Sequence, residues 1–145
     1  MSVVVTTLNA GPDFEELLAR LSAQRADFGY EVLVIDSGST DGTVELARRY
    51  GTSVYLIDQN EFNHGTTRNL GVSLCRGRYV AFIVQDTRPV DGGWLTAMVE
   101  NFERDATVAG VYGRQIPSPE SSPLTRALMD DWDVFVSGVH RQSDT

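Results

Sequence analysis

The chain has 145 residues and a mass of 16.0 kDa, one domain's length, and its 41% hydrophobic and 22% charged shares are those of an ordinary globular protein. A net charge of −8 argues against a nucleic-acid partner, and all 12 basic residues are arginine, which excludes a P-loop lysine and Schiff-base chemistry. The single cysteine, Cys75, leaves no internal disulfide and no cysteine-based zinc site.

The elements alternate along the chain. Residues 2–8, SVVVTTL, form a β-branched apolar run typical of a buried strand. Gly11-Pro12-Asp13 opens a helix with Asp13, Glu15 and Glu16 in its first turn, where the helix dipole favours anions, and Phe14, Leu17, Leu18 and Leu21 on one face. YEVLVID (30–36) predicts a second strand and SGSTDGT a tight turn. Asp41 or Ser39 then caps a helix over about 42–50, which Gly51 stops. SVYLI (53–57) is a third strand, followed by a helix carrying Leu70 and Leu74 that ends at Gly77. YVAFIV (79–84) is a fourth strand, and Asp91 caps a helix with Trp94, Leu95, Met98 and Phe102 on one face. VAGVYG (108–113) reads as a fifth strand, and Leu124, Leu128, Trp132 and Phe135 suit a final helix. Repeated strand–helix units imply right-handed crossovers and a mostly parallel sheet flanked by helices, with ligands at the carboxyl ends of the strands.

Polar clusters gather at those ends: Thr6, Thr7 and Asn9 after the first strand, Asp36 to Asp41 after the second, Gln85 to Arg88 after the fourth, and Arg114 with Gln115 after the fifth. The first turn lacks the G-x-G-x-x-G of dinucleotide binders, and no G-x-S-x-G hydrolase elbow is present. Asp86 ends the apolar run VAFIV and reads either as a turn starter or as a ligand.

Taken together, VVVTTLN, VLVIDSGSTDGT and FIVQDTRPVDGGWL resemble the opening strand, nucleotide signature and metal-binding Asp motif of the family-2 glycosyltransferases, while EFNHGTTRNLG and GVYGRQIP are similar to its rhamnosyltransferase subgroup. The resemblance implies a Rossmann-like α/β fold of GT-A type over residues 1–120 that binds a nucleotide sugar. It leaves 121–145 as a C-terminal helix and tail, an acceptor region truncated relative to the family. It implies an inverting transfer of rhamnose from dTDP-rhamnose to a saccharide or lipid-linked saccharide acceptor, a precursor of bacterial cell-surface polysaccharide. Thr6 and Asn9 would line the base pocket. Asp36 would reach the base or ribose, or else shape the DSGST turn, and Asp41 caps a helix. Ser37 stands where many relatives carry a second Asp. His64 would donate to a phosphate or shape its loop, and Arg68 would hold Asp36 or Asp86, contact phosphate, or form a surface ion pair. Gln85 and Asp86 would face the donor, with Asp86 the ligand of Mg2+ or Mn2+, since Mg2+ commonly takes only one or two carboxylates beside substrate phosphates. Arg88 would supply part of the metal's charge, and Arg114 and Gln115 would face the donor sugar or acceptor, or lie on a surface loop.

The family's acidic general base belongs downstream of the segment matching GRQIP, and no such motif is found; Asp130, Asp131 and Asp133 are weak substitutes. A donor-binding half of this kind would bind nucleotide and turn over poorly, as an incomplete enzyme or as a non-catalytic nucleotide-binding or structural module. A shortened sheet with an exposed edge favours a homodimer. Met1-Ser2 leads straight into valines without a basic leader, and no apolar run approaches the ~20 residues of a membrane span, so the expected location is cytoplasmic, including the inner face of the membrane.

Overall fold

The computed structural model describes residues 1–118 and 120–136. Four parallel strands, β1 (Ser2–Thr7), β2 (Glu31–Asp36), β3 (Ser53–Leu56) and β4 (Val80–Val84), form one sheet in the order β3-β2-β1-β4. Helices α1 (Asp13–Ser22), α2 (Thr43–Arg49), α3 (His64–Leu74), α4 (Trp94–Arg104) and α5 (Pro123–Val136) alternate with and follow the strands, and a short 3-10 turn spans Gln59–Glu61. No helix among the described residues is long and apolar enough to cross a membrane.

β1 is flanked on both sides and covered on both faces, so Val3, Val4 and Val5 are fully buried; this is why its sequence is a continuous apolar run without alternation. On one face Val3, Val5, Val34 and Ile83 pack with Phe14, Leu17, Leu18 and Leu21 of α1, Ala47 of α2 and Leu95 of α4. On the other face Val4 and Ile35 meet α3, where a Cβ on Gly71 would lie 2.9 Å from Val4 Cγ1 and 3.3 Å from Ile35 Cδ1. The missing side chain at Gly71 sets how closely α3 approaches the sheet.

Two expectations are corrected. The segment 108–113 is not a strand. Its glycines at 110 and 113 weaken pairing, no backbone bond joins it to β4, and it leans on α4, where a Cβ on Gly113 would sit 2.9 Å from Met98 Cε. Helix α3 ends at Leu74, before Gly77, because the next N–H groups have other acceptors: Arg76 N–H donates to Glu31 Oε1 at 2.8 Å and Gly77 N–H to Ser2 Oγ at 2.9 Å. A Cβ on Gly77 would lie 2.5 Å from the Met1 carbonyl carbon, so this glycine permits contact with the start of β1 and is not a helix stop.

Candidate functional site

The chain builds β1, β2 and β3 outward in one direction and then returns to place β4 on the other side of β1. That reversal makes the carboxyl ends of β1 and β4 the topological switch point, where crossovers diverge and a crevice opens. A cleft of about 380 Å³ lies there. Thr6, Thr7 and Leu8 from β1 and Val84 and Gln85 from β4 form one part of its lining; Ser37, Gln59 and Phe62 form the rest.

Hydrogen bonds prolong the β1–β4 contact past the ladder. The Gln85 side-chain amide accepts from Leu8 N–H at 2.9 Å and donates to Leu8 C=O at 3.3 Å. It thus takes the place of one more peptide unit where the backbones diverge. Ser37 closes the β2 side: its N–H and its hydroxyl both donate to Thr7 C=O, at 3.0 and 2.9 Å.

The residues 36–43, DSGSTDGT, act mainly on their own loop and on the one after β1. Asp36 is 1% exposed, and its carboxylate accepts four bonds: from Thr7 Oγ1 at 2.8 Å, Ser39 Oγ at 2.5 Å, Gly38 N–H at 3.1 Å and Ser39 N–H at 2.8 Å. Both oxygens are engaged inside the protein, so in this arrangement Asp36 shapes the turn and presents no free acceptor to the cleft. The loop 9–11 is tied down by neighbouring side chains. Asn9 N–H donates to Ser39 Oγ at 2.7 Å, Ala10 N–H to Thr43 Oγ1 at 3.0 Å and Gly11 N–H to Asp41 Oδ2 at 3.1 Å, while Asn9 Oδ1 accepts from Thr40 N–H at 2.9 Å. Asn9 adopts φ 45°, a left-handed conformation that Asn tolerates better than most residues, so it is both the bend and a clasp. Asp41 accepts from the hydroxyl and N–H of Thr43, the first residue of α2; the Thr43 hydroxyl above all holds its carboxyl below the usual carboxylate range.

Asp86 behaves differently from the other loop aspartates. Asp36, Asp41, Asp91 and Asp105 each accept from the backbone N–H two residues on, as turn-starting Asp residues do. The Asp86 turn is closed instead by Thr87 N–H donating to Val84 C=O at 3.1 Å, and its exposed carboxylate has no protein partner among the described residues. A turn starter is therefore not what Asp86 is. Among the described residues no three His, Cys, Asp or Glu side chains converge on a metal position. A lone carboxylate without a protein partner nevertheless fits Mg2+ or Mn2+, which can draw their remaining ligands from substrate and water.

Neither Arg68 nor Arg88 engages the aspartates at the strand ends. Arg68 donates through Nη1 to His64 C=O at 3.0 Å within α3 and makes no ion pair with Asp36 or Asp86. Its local acceptor lies one helical turn away, nearer than either aspartate. Arg88 does not face Asp86. It turns to the acidic first turn of α1, with Nη2 3.0 Å from Asp13 Oδ1 and Nε 2.9 Å from Glu16 Oε2; the Nε–H is not aimed along that second line, so the contact is Coulombic without a hydrogen bond. Most of the α3 N-terminus is already satisfied: Asn63 Oδ1 accepts from Gly65 and Thr66 N–H and Asn63 C=O from Thr67 N–H. His64 is exposed, its ring edge-on to Phe62 at 5.0 Å. Arg114 and Gln115 do not line the cleft; they follow Gly113 in the irregular segment beside α4. Asp130, Asp131 and Asp133 fall in α5, and their side chains lie outside the described residues. Gln59 and Phe62 were not legible as site residues, although one aromatic residue within the polar stretch DQNEFNHG was the available signal.

A parallel α/β sheet with its cleft at the β1/β4 switch point, the DSGSTDGT turn beside it and Asp86 directly after the lining residue Gln85 is the setting in which comparison with known proteins becomes informative. Residues 2–141 match the sequence profile of glycosyl transferase family 2. The chain belongs to that family. The O-antigen chain rhamnosyltransferase RfbN of Salmonella typhimurium is 35% identical over 126 residues, covering 86% of this chain and 40% of RfbN. Staphylococcus aureus TarS superposes with a TM-score of 0.64 at 28% identity over 81% of this chain and 38% of the TarS chain. The Pyrobaculum calidifontis mannosyltransferase PcManGT, solved in complex with GDP-Man and Mn2+, gives 0.62 at 28% identity over 74% of this chain and 33% of that one. This family-2 glycosyltransferase chain has the GT-A fold and spans about two fifths of RfbN's length.

Proposed function

We propose that the chain is the donor-binding part of an inverting rhamnosyltransferase that takes its sugar from dTDP-rhamnose and serves the assembly of a bacterial cell-surface polysaccharide. The observation that carries this is the switch-point cleft lined by Val84 and Gln85, with Asp86, which has no partner among the described residues, next in the chain. The 35% identity to an O-antigen chain rhamnosyltransferase supports the choice of sugar. In this reading residues 1–120 are the donor domain and 121–145 begin the acceptor region.

Most of the candidate residues then have a task they can perform from where they stand. Thr6, Thr7 and Gln59 bring polar side chains to the cleft, and Phe62 adds an aromatic ring for the nucleoside. Gln85 and Ser37 hold the cleft walls, while Asn9, Asp36 and Asp41 fix the loops that frame them. Arg68 retains donors beyond its bond to His64 for a phosphate, and His64 stands at the same helix end. Asp86 would hold Mg2+ or Mn2+, which when bound offsets the charge gathering on a departing nucleoside diphosphate. Arg114 and Gln115 would meet the sugar or acceptor only in an arrangement of 113–118 other than the present one. The acceptor is a saccharide or lipid-linked saccharide, met on the cytoplasmic side at the inner face of the membrane.

Competition between sugar nucleotides tests this reading. Saturation-transfer NMR on a mixture of dTDP-rhamnose, UDP-GlcNAc and GDP-mannose should give the strongest transfer to the dTDP sugar. A stronger signal from either other donor overturns the donor assignment, and no signal from any of them overturns donor binding by this chain.

A further inference from the structure

Helix α1 carries polar side chains that the cleft does not use. Between the end of β4 at Val84 and the start of α4 at Trp94 the chain forms no helix or strand, so its carbonyls need donors from elsewhere. Four consecutive ones find them on α1 and just after it. Pro89 C=O accepts from Arg20 Nη1 at 2.9 Å, Val90 C=O from the same Nη1 at 3.2 Å, Asp91 C=O from Gln24 Nε2 at 2.7 Å and Gly92 C=O from Arg25 N–H at 2.7 Å. Arg20 also places Nε and Nη2 on Glu16 Oε1, at 3.0 and 2.8 Å, while the other oxygen of Glu16 faces Arg88 Nε at 2.9 Å. One planar guanidinium thus joins α1 to the loop backbone, and one carboxylate joins that guanidinium to the loop's own arginine.

Asp86 lies between this clamp and a second one. Gln85 is bonded to Leu8 at the end of β1, Thr87 N–H closes on Val84 C=O, and from Arg88 onward the loop is held by α1. Among the described residues no three metal-ligating side chains converge, so the backbone decides where the Asp86 carboxylate meets a donor. A metal that takes a single protein carboxylate is correspondingly sensitive to what supports that residue. Taking Asp86 as the donor's metal ligand, the reading on which this rests, we infer that Arg20 is a positioning residue for Asp86. It fixes the path of residues 88–90 and so the place at which the loop after β4 delivers the carboxylate. An exposed ion pair with Glu16 alone would matter little; the reach to Pro89, 69 residues along the chain, gives Arg20 this role.

Calorimetric titration of dTDP into wild type, Arg20→Met and Glu31→Gln, each with and without Mg2+, tests this. Arg20→Met keeps the apolar stem and removes the fork. It should bind dTDP without Mg2+ as wild type does and lose most of the roughly tenfold Mg2+ enhancement. Faster hydrogen exchange at Thr87 N–H is the local sign expected with it. Glu31→Gln, altered at the opposite end of the sheet, should keep the full enhancement, which separates positioning from a general loss of stability. A full enhancement in Arg20→Met overturns the inference and leaves the metal reading standing. So does an equal loss in Glu31→Gln. No Mg2+ effect in wild type overturns both.

Discussion

Glu31, at the opposite end of the sheet from the cleft, should be the carboxylate most responsible for acid sensitivity. Its Oε1 accepts from Ser2 Oγ at 2.7 Å and Arg76 N–H at 2.8 Å, and its Oε2 from Arg76 Nε at 3.1 Å and Nη2 at 2.7 Å. These donors, the Arg76 backbone N–H first, then the Ser2 hydroxyl and the Arg76 guanidinium, lower its pKa from 4.5 to about 2. A group depressed on folding stabilises the protein above its unfolded pKa, and that stability drains away as pH falls toward the folded value. The full gap corresponds to about 3 kcal/mol. Glu31 is 25% exposed and Arg76 84%, so solvent screens the guanidinium and leaves about 2 kcal/mol. Urea denaturation of wild type and Glu31→Gln should therefore differ by about 2 kcal/mol near neutral pH, with the difference closing between about pH 5 and pH 2. An equally stable variant at neutral pH, or a difference indifferent to acid, would refute the reasoning.

Substitutions at three further positions probe the packing and loops. Gly71→Ala gains about 1 kcal/mol of helix propensity but forces a Cβ to 2.9 Å from the fully buried Val4, so urea denaturation should show a net loss of about 1 kcal/mol. Gln85→Leu strands the Leu8 N–H and C=O and should cost about 1–3 kcal/mol, with faster hydrogen exchange at the Leu8 amide as its local sign. Asn9→Ala loses both the Thr40 bond and tolerance of φ 45°, whereas Asn9→Gly loses only the bond; thermal melts should rank Ala below Gly below wild type, with the Ala variant down about 1–2 kcal/mol.

Strands β1 to β4 and helices α1 to α4 were legible from local signals such as the continuous valine run of β1 and the Phe14–Leu21 face of α1, although α3 buries Thr67 and Gly71 where Leu70 and Leu74 suggested the apolar face. What failed depended on distant parts of the chain. Residues 108–113 have strand-like composition but gain no backbone pairing with β4, a fact no local window contains. The end of α3 was set by Glu31 and Ser2, more than forty residues earlier in sequence. At the site, the strand-end rule located the cleft and singled out Asp86, yet the partners of Arg68, Arg88 and Asp36 followed from side-chain geometry. An arginine beside an acidic helix start, such as Arg88 near Asp13 and Glu16, is visible only once β4 is set against α1.

The most direct measurement is calorimetric titration of dTDP into the chain, with and without Mg2+, beside the Asp86→Ala variant. Asp86 has no protein partner among the described residues, so the variant should fold normally and bind nucleotide weakly. Mg2+ should tighten binding to wild type by about tenfold or more and leave the variant unchanged. Metal-independent binding to wild type, or an equal Mg2+ effect in both proteins, would contradict the assignment of Asp86 to the donor's metal.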